Sequence, residues 1–524
     1  MNQIEILDTT LRDGAQGEGV SFSLEDKLNI TQKLARLGIA FIEAGNPASN
    51  PKDMEFFQRV HSLELGATHI VAFGATRKKN ICVLEDENCQ ALLAAQTKWV
   101  SIFGKCWDLH VQDVLRTTLE ENLKMIEETV RFYKENGRFV IFDAEHFFDG
   151  YKNNPAYAVK ALEAAVRAGA DRLCLCDTNG ACFPHQVGNM TEAVVHKFAG
   201  IPVGIHTHND VGCAVANSIS AVLAGATHVQ GTYLGYGERC GNATLATIIA
   251  NLQLKLGYGC IPADKIGRLT KTARYIAEVA NQLVPANMPY VGKSAFAHKG
   301  GMHVDGIYKN SISFEHISPD EVGNNRHILL SEYAGRSAIA KRVAEIDSTV
   351  TRDSAVTEEL IEKLKMLEYE GYAFESAGAS FEIFALKHLG RYKPAFSLEY
   401  FKIISEEPAL HVASSCCALI KIKVGESIEM TSAEGEGPVH AMDVAMRKAL
   451  EVFYPVLSQV RLIDYKVRVM ESGSATAAKV RVLIESRDAT SVWTTVGLSA
   501  DIIDASWQAL RDSMEYKLIK DGII

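Results

Sequence analysis

Two histidines, His206 and His208, are separated by a single residue at the end of an apolar run, a spacing that could hold a metal ion. Alternate residues of an extended chain point to the same face, so the two imidazoles leave the end of one strand side by side. Imidazole is the commonest metal ligand among protein side chains. We expect two further ligands from distant parts of the chain, Asp13 and Asn242.

This set of donors would form a mixed nitrogen and oxygen site with room for water or substrate. Such a site suits Mn²⁺, Zn²⁺, Mg²⁺ or Co²⁺ better than a structural zinc ion, which prefers four thiolate or imidazole ligands. A His-x-His pair alone is a weak signal, because an isolated pair on a strand is more often structural than metal-binding. The interpretation therefore depends on whether the fold brings Asp13 to the same place.

Length and composition limit the classes of protein to which the chain can belong. Its 524 residues are enough for about two to four domains. No window approaches the run of about 20 apolar residues that spans a bilayer, and the first residues lack the pattern of a signal peptide. The net charge of −10 argues against a nucleic-acid partner. The eleven cysteines include no C-x2-C pair, so we expect reduced thiols. Together with the lack of a long apolar run, this favours a cytoplasmic protein without a membrane partner.

The first 260 residues repeat one unit, which consists of a short apolar run, a polar loop and an amphipathic helix pattern. The apolar runs cover residues 4–7, 40–44, 69–73, 99–103, 139–142, 172–176, 201–205 and 228–232. Helix patterns lie between them, for example at residues 24–37, 118–136, 156–168 and 213–224. Eight such units predict an α/β fold, a (β/α)8 TIM barrel at residues 1–260. A doubly wound open sheet is the alternative, but it usually carries a glycine-rich turn where residues 8–14 read Asp-Thr-Thr-Leu-Arg-Asp-Gly.

Polar residues cluster directly after the predicted strands. In a barrel the carboxyl ends of the strands share one rim, where active sites lie. The residues in question are Arg12 and Asp13, Glu43, Glu145 and His146, Asp177 to Asn179, the two histidines, and Glu238, Arg239 and Asn242. A purely structural role would distribute such residues over both rims, so their clustering favours an active site.

Several rim residues have two interpretations. Arg12 could form a salt bridge to a carboxylate such as Glu43, or bind a substrate carboxylate or a developing oxyanion. Thr178 could donate a hydrogen bond to a substrate carboxylate, or cap the following helix. Glu145 could orient an acid or base, or only support other side chains. Trp107 could narrow the pocket, or cover the outer layer of the barrel.

The rest of the chain predicts two further regions. Residues 261–395 have weaker periodicity, and we expect them to form linking subdomains. They contain helix patterns at 265–283 and 356–367 and a glycine-rich loop at 291–303 that we expect to be mobile. Residues 396–524 predict strands at 398–404, 418–424 and 427–431, a helix at 439–453, strands at 459–470, 478–486 and 491–499, and a helix at 502–518. Two rounds of strands and helix indicate an internal duplication in an α+β domain with a regulatory or assembly role.

Three of these motifs resemble the signatures of the DRE-TIM metallolyase superfamily. They are residues 8–14, residues 206–210 (His-Thr-His-Asn-Asp) and residues 237–242 (Gly-Glu-Arg-Cys-Gly-Asn). Within the superfamily, the chain is similar to the 2-isopropylmalate, homocitrate and citramalate synthases, which condense acetyl-CoA with a 2-oxo acid on a divalent-metal TIM barrel. Residues 296–306 resemble the linking-subdomain motif of these enzymes, and residues 396–524 resemble their amino-acid-binding regulatory domain.

The resemblance implies a role for each candidate residue. Metal binding falls to Asp13, His206, His208 and Asn242, and binding of the 2-oxo acid to Arg12 and Thr178. His303 would reach from its loop into the barrel of a neighbouring protomer and help to deprotonate the acetyl methyl group, with Glu145 close by. The same resemblance implies a homodimer or a higher homo-oligomer, and a branched-chain amino acid as effector.

Three segments point to one branch of the family. Residues 13–19, with Ala15 where many relatives have a larger polar residue, resemble the citramalate-synthase-like branch, as do residues 107–110 and 502–510. This branch uses pyruvate as acceptor, serves isoleucine biosynthesis and suggests isoleucine as effector. The 2-isopropylmalate and homocitrate synthases remain the alternatives.

Rival functions fit the sequence less well. A lyase or aldolase of this fold would lack the long C-terminal domain, and a biotin-dependent carboxyltransferase would need a lysine where Asp177 and Thr178 stand. A catalytically silent amino-acid sensor would not be expected to keep Arg12, Asp13 and both histidines.

Overall fold

The chain forms two compact units in a computed structural model. The structure describes residues 2–328, 336–347, 350, 354–406, 415–470 and 478–524. One unit comprises Met1–Phe296 and Ile317–Asn325, and the other comprises Ala297–His316 and Arg326–Ile524. Parts of the predicted linking region (329–335, 348–349 and 351–353) and of the predicted C-terminal domain (407–414 and 471–477) lie outside the described residues.

The first unit is a closed barrel of eight parallel strands in sequence order. The strands are β1 (Glu5–Asp8), β2 (Phe41–Glu43), β3 (His69–Ala75), β4 (Trp99–Lys105), β5 (Phe139–Glu145), β6 (Arg172–Asp177), β7 (Val203–Thr207) and β8 (His228–Gly231). β1 pairs with β8 from Glu5 opposite His228 to Asp8 opposite Gly231, which closes the sheet. The TIM-barrel prediction is therefore confirmed, and the open doubly wound sheet is excluded.

Ten helices accompany the barrel strands in the described part of this unit. They are α1 (Leu24–Leu37), α2 (Pro51–Val60), α3 (Glu87–Ala94), α4 (Leu119–Glu135), α5 (Phe147–Asn153), α6 (Pro155–Arg167), α7 (Pro184–Lys197), α8 (Ala214–Leu223), α9 (Leu245–Ala250) and α10 (Leu269–Val279). Local sequence determines several of their ends: the hydroxyl of Ser23 caps α1, and Gly38 ends it with a left-handed backbone. The helix predicted at residues 265–283 is shorter in the structure, because residues 263–268 form a 3₁₀ turn before α10.

The barrel interior contains an apolar cluster that is separate from the core between strands and helices. It consists of Leu7, Phe41, Val71, Trp99, Ile141, Cys174 and Cys176, all buried. These side chains come from six different strands and fill the lumen, as is usual for this fold. Cys174 and Cys176 thus act as small apolar side chains.

The second unit begins with short elements and helices. It contains β9 (Ala297–His298), α11 (Gly301–Lys309), β10 (His327–Ile328), α12 (Arg336–Ile346), α13 (Ala355–Glu370) and α14 (Gly378–His388). Residues 301–309 are helical, so the loop expected up to residue 303 is wrong at its end. Val304 and Ile307, which are three residues apart and buried, give α11 an apolar face that stabilises it.

Two copies of one motif end the chain. The strands β11 (Ser397–Glu406), β12 (Ser415–Val424) and β13 (Ser427–Gly435) form an antiparallel sheet, followed by α15 (Pro438–Glu451). β14 (Arg461–Val469), β15 (Val480–Arg487) and β16 (Val492–Ser499) form a second one, followed by α16 (Ile502–Lys520). The structure confirms the α+β duplication. In the described residues, no helix combines the length and apolar character that crossing a membrane requires.

Candidate active site

A cavity of about 250 Å³ opens at the carboxyl ends of the barrel strands. It brings together eight of the residues singled out in the sequence, namely Arg12, Asp13, Glu145, Thr178, His206, His208, Glu238 and Arg239. They come from the ends of β1, β5, β6, β7 and β8 or from the turns that follow, so residues far apart in sequence meet because the barrel closes.

Asp13, His206 and His208 form a buried group whose ligand atoms all lie within 4.8 Å of one another. The Nε2 atoms of the two histidines are 3.3 Å apart, and Oδ2 of Asp13 is 3.6 Å from Nε2 of His206. Nε2 of His206 therefore faces both Nε2 of His208 and the carboxylate of Asp13. Two nitrogens and one carboxylate oxygen that converge at such distances are a possible divalent-metal site.

Asn242 is held beside this group by backbone and side-chain contacts. Its backbone forms an isolated β-bridge with His208. Its side-chain amide donates to Oδ1 of Asp13 at 3.1 Å and to the carbonyl of Tyr236 at 3.1 Å. A Cβ at Gly237, where φ is 149°, would lie 2.2 Å from the Asn242 amide nitrogen, so only glycine permits this approach. The Asn242 amide oxygen is buried without a hydrogen-bond partner among the described residues, as expected of an atom that could serve as a ligand.

The electrostatics of the group favour the protonation states that metal binding requires. Burial raises the pKa of Asp13, but opposing effects, the largest of which is the charge of Arg12, outweigh it and lower that pKa to about 2. Burial lowers the pKa of His206 to about 3 and also lowers that of His208. The aspartate is thus ionised and the imidazoles are neutral at physiological pH, which leaves lone pairs available to a cation.

Arg12 forms two ion pairs and leaves one guanidinium nitrogen open to the cavity. Its Nε donates to Oε1 of Glu43 at 2.6 Å, its Nη1 donates to Oδ2 of Asp13 at 2.8 Å, and its guanidinium lies 3.7 Å from the ring centre of Phe73. The salt bridge to Glu43 is therefore present. The remaining nitrogen, Nη2, has no acceptor among the described side chains, and Arg12 lines the cavity. This nitrogen is available to a substrate oxygen.

Thr178 is held in an orientation that leaves its hydroxyl proton available. The backbone N–H of His146 donates to Oγ1 of Thr178 at 2.9 Å. His146 reaches this position with a left-handed backbone, φ 55°, which is uncommon for a residue other than glycine and is often found at functional sites. Because Oγ1 already accepts a hydrogen bond, its own proton can point to an acceptor in the cavity.

Glu145 lines the cavity and pairs with a residue that the sequence patterns did not reveal. Its carboxylate forms an ion pair with Lys105, the last residue of β4. β4 continues for two residues beyond the apolar run that predicted it, and this extension brings Lys105 to the rim. A prediction that extended every strand to the same rim would have included it.

Three buried polar residues beneath the histidines were also missed. Ser101 donates to Oδ2 of Asp143 at 2.6 Å, Gln230 donates to Oδ1 of Asp143 at 2.9 Å, and Oε1 of Gln230 is 3.2 Å from Nδ1 of His206. Burial, with a smaller contribution from the charge of Glu43, raises the pKa of Asp143 to about 7. Each of the three interrupts or ends an otherwise apolar strand, and that interruption was the available signal.

A second group of possible ligands is less suitable for a cation. Asp143, Cys174 and Cys176 have ligand atoms within 4.8 Å of one another. However, burial raises the pKa of the Cys174 thiol well above its usual range, and both oxygens of Asp143 already accept hydrogen bonds. We therefore assign the candidate metal centre to Asp13 and the two histidines.

Two remaining candidates lie elsewhere. His303 is in the first turn of α11, in the second unit, and its ring stacks on that of Phe314 with ring centres 4.3 Å apart. Trp107 lies against His110 and His146, with ring centres 5.1 and 5.8 Å away, and is not among the described residues that line the cavity. The interpretation in which Trp107 narrows the pocket receives no support from this arrangement.

Comparison with known proteins identifies three regions along the chain. The HMGL-like family matches residues 3–276, the homocitrate synthase post-HMGL domain-like family matches residues 290–371, and the LeuA allosteric (dimerisation) domain matches residues 375–518. The three matches follow one another in the order expected from the resemblance of the sequence motifs.

Individual relatives match over almost the whole chain. The (R)-citramalate synthase of Aquifex aeolicus is 50% identical over 519 residues, which are 99% of this chain and 98% of that protein. The (R)-citramalate synthase of Geobacter sulfurreducens is 48% identical over 520 residues, 99% of this chain and 98% of that one. The 2-isopropylmalate synthase of Pyrococcus furiosus is only 32% identical over 523 residues, with 98% of each chain covered. The chain therefore belongs to the HMGL-like family, and within it to the citramalate synthases, a group of acyltransferase enzymes.

Proposed function

We propose that this enzyme condenses acetyl-CoA with pyruvate and hydrolyses the resulting thioester, so that citramalate and CoA are released. The observation that carries the proposal is the meeting of Arg12, Thr178 and the group of Asp13, His206 and His208 in one rim cavity. A 2-oxo acid needs donors for its carboxylate and a positive environment for its keto oxygen, and this cavity offers both. The identity with (R)-citramalate synthases favours pyruvate over larger acceptors.

In the proposed reaction the methyl carbon of acetyl-CoA loses a proton to a base and attacks the keto carbon of pyruvate. The keto oxygen gains the electron pair of the broken π bond and then a proton. Water next cleaves the thioester to give a carboxylic acid and the thiol of CoA. Asp13, His206, His208 and Asn242 would hold a divalent cation (Mn²⁺, Zn²⁺, Mg²⁺ or Co²⁺), which supplies polarisation of a keto carbonyl when it is bound.

Arg12 and Thr178 are proposed to hold the acceptor. The free Nη2 of Arg12 would donate to oxygens that gain negative charge during the attack, while its other nitrogens stay fixed by Glu43 and Asp13. The hydroxyl of Thr178 would donate to the acceptor carboxylate. Phe73 and Phe103 also line the cavity, with stacked rings 5.2 Å apart, and they offer an apolar wall to the methyl group of pyruvate.

A panel of acceptors tests the proposed function. Purified enzyme with Mn²⁺ and acetyl-CoA should release CoA thiol faster with pyruvate than with 2-oxoisovalerate or 2-oxoglutarate, and NMR of the product should identify citramalate. A reaction without an acceptor serves as the control for simple thioester hydrolysis. A preference for 2-oxoisovalerate would indicate 2-isopropylmalate synthesis, and a preference for 2-oxoglutarate would indicate homocitrate synthesis. No release with any of the three would refute the synthase proposal.

His303 is proposed as the base for the acetyl methyl group, acting in the barrel of a second protomer, with Glu145 close to it. The support is the family resemblance of residues 296–306 and the match of residues 375–518 to a dimerisation domain. Histidine suits this task because its ordinary pKa is near neutrality. His303→Ala should lower kcat by about 10²- to 10⁴-fold, the usual contribution of a general base, with unchanged metal content.

A mixing experiment tests whether His303 acts in the partner. His303→Ala and Asp13→Asn protomers, each almost inactive, are co-expressed in equal amounts. Half of the dimers are then mixed, and each mixed dimer has one site with both residues intact, so about a quarter of wild-type activity should return. Mixtures that stay inactive while forming dimers would show that His303 does not act across the dimer.

We propose three functional regions: a catalytic region at residues 1–260, a linking region at 261–395 and a regulatory region at 396–524. The regulatory region is proposed to bind a branched-chain amino acid. Its match to an allosteric domain supports this role. Isoleucine, as the end product of the expected pathway, should bind the intact enzyme in a calorimetric titration and lower its activity, with leucine as the comparison. Binding of neither amino acid would refute the regulatory role.

A further inference from the structure

A chain of hydrogen bonds that ends at His206 crosses the barrel interior. It runs from the hydroxyl of Ser101 on β4 to the carboxylate of Asp143 on β5, then to the side-chain amide of Gln230 on β8, and ends at Nδ1 of His206 on β7. The side chains of all four residues are buried, with Asp143 3% and His206 5% exposed. Water therefore does not compete for these bonds, and each group must find its partners within the chain.

The order of donors and acceptors in this chain is not arbitrary. Both carboxylate oxygens of Asp143 accept hydrogen bonds, Oδ2 from the hydroxyl of Ser101 and Oδ1 from Gln230, so Gln230 presents its NH₂ group to Asp143. The amide oxygen of Gln230 must then point the other way, towards His206. An amide oxygen only accepts, so Nδ1 of His206 must carry the proton in their 3.2 Å contact.

This protonation pattern has a direct consequence for the metal site. In a neutral imidazole only one nitrogen carries a proton, so a protonated Nδ1 leaves the lone pair on Nε2. Nε2 is the atom that lies 3.3 Å from Nε2 of His208 and 3.6 Å from Asp13. The nitrogen that must bind a cation is thus the one kept free of a proton.

We propose that Asp143 and Gln230 are positioning residues that fix His206 in the tautomer able to bind the metal. Asp143 orients Gln230, and Gln230 orients and polarises the imidazole. Neither residue binds the cation itself. This inference rests on the metal site of the proposed function. It adds that the carboxylate of Asp143, linked to His206 through Gln230, controls the affinity of that site for the cation.

Exchanging the two functional groups provides a sharp test. Asp143→Asn keeps the size of the side chain but allows its NH₂ group to face Gln230. Gln230 must then turn its oxygen to residue 143 and its NH₂ group to His206, which favours the tautomer with the proton on Nε2. The double variant Asp143→Asn/Gln230→Glu restores the pattern, because the carboxylate introduced at position 230 accepts from both the asparagine amide and Nδ1–H of His206.

The readouts are Mn²⁺ affinity, measured by calorimetry on metal-free enzyme at about pH 8, and the ¹⁵N chemical shifts of His206, which report its tautomer. Asp143→Asn should raise the Kd for Mn²⁺ by about 10- to 100-fold, the usual effect of losing a partner that orients a metal ligand. The double variant should return the Kd to within about threefold of wild type. Ser101→Ala is the matched control: it removes the other bond of Asp143 but leaves the orientation of Gln230, so its Kd should change little.

The possible failures have different meanings. If wild-type enzyme does not bind Mn²⁺, the metal site of the proposed function is wrong, and this inference fails with it. If wild type binds but Asp143→Asn binds equally well, only the positioning role is refuted. If Asp143→Asn fails to fold, the double variant still decides, since a Kd for Mn²⁺ about 10-fold or more above that of wild type in a folded double variant would contradict the proposed order of donors and acceptors.

Discussion

Asp13→Asn should lower citramalate formation by about 10³-fold or more, because the divalent cation is expected to supply several kcal/mol of transition-state stabilisation. The substitution keeps the size of a side chain that is only 4% exposed. It removes the negative charge of the carboxylate. It also places an NH₂ donor beside Arg12 and Asn242, whose own N–H groups donate to this carboxylate in the wild type. The site would lose its only carboxylate ligand among the described candidates and, with it, most of its attraction for a cation.

The measurement combines kcat/KM for pyruvate with the metal content of the purified variant. Asp264→Asn is a suitable control, because it makes the same chemical change at an exposed residue of the 3₁₀ turn at residues 263–268. Wild-type activity in a folded Asp13→Asn enzyme would refute the proposed metal centre.

Arg12→Ala should have two separable effects, one on activity and one on stability. Loss of the donor that faces the acceptor should lower kcat/KM by about 10²- to 10³-fold, as for other donors to a developing oxyanion. Glu43, which is fully buried, would also lose its cationic partner. Breaking such a buried pair from one side costs about 3 to 5 kcal/mol of unfolding free energy.

The double variant Arg12→Ala/Glu43→Gln distinguishes the two effects. It removes the unpaired buried charge, so denaturant unfolding should show that much of the lost stability returns. Activity should remain low, because the donor is still missing. If the double variant instead recovered both stability and activity, Arg12 would have only the salt-bridge role that its contact with Glu43 suggests.

The barrel could be predicted from the sequence because buried parallel strands are continuous apolar runs and their polar flanks share one rim. The same rule predicted that Asp13, His206, His208 and Asn242 lie together, and these four side chains meet in the structure. The repeated unit of strands and a helix after residue 396 could also be predicted, because apolar residues alternate along its strands but recur every three to four residues along its helices.

The missed residues show what a linear pattern lacks. Asp143 and Gln230 are 87 residues apart and meet across the lumen of the barrel, and nothing local to either residue indicates the other. Lys105 was missed because hydrophobicity marks the buried part of β4 and not its polar end. His303 was expected in a loop because glycines at 300 and 301 suggested one, whereas the buried side chains of Val304 and Ile307 favour the helix.

The candidate metal centre lies where β1 and β8 pair, so binding of a cation there would be linked to completion of the fold. Asp13 and Asn242 are 229 residues apart and become neighbours only when the first and last strands pair. A partly folded chain with an open barrel would present the two histidines without the carboxylate, and it should bind a cation weakly. A ligand selective for the native state stabilises it by about 2.7 kcal/mol when present at 100 times its Kd. A bound cation would therefore stabilise the closed barrel and offset part of the conformational entropy that the chain loses when its first and last strands pair.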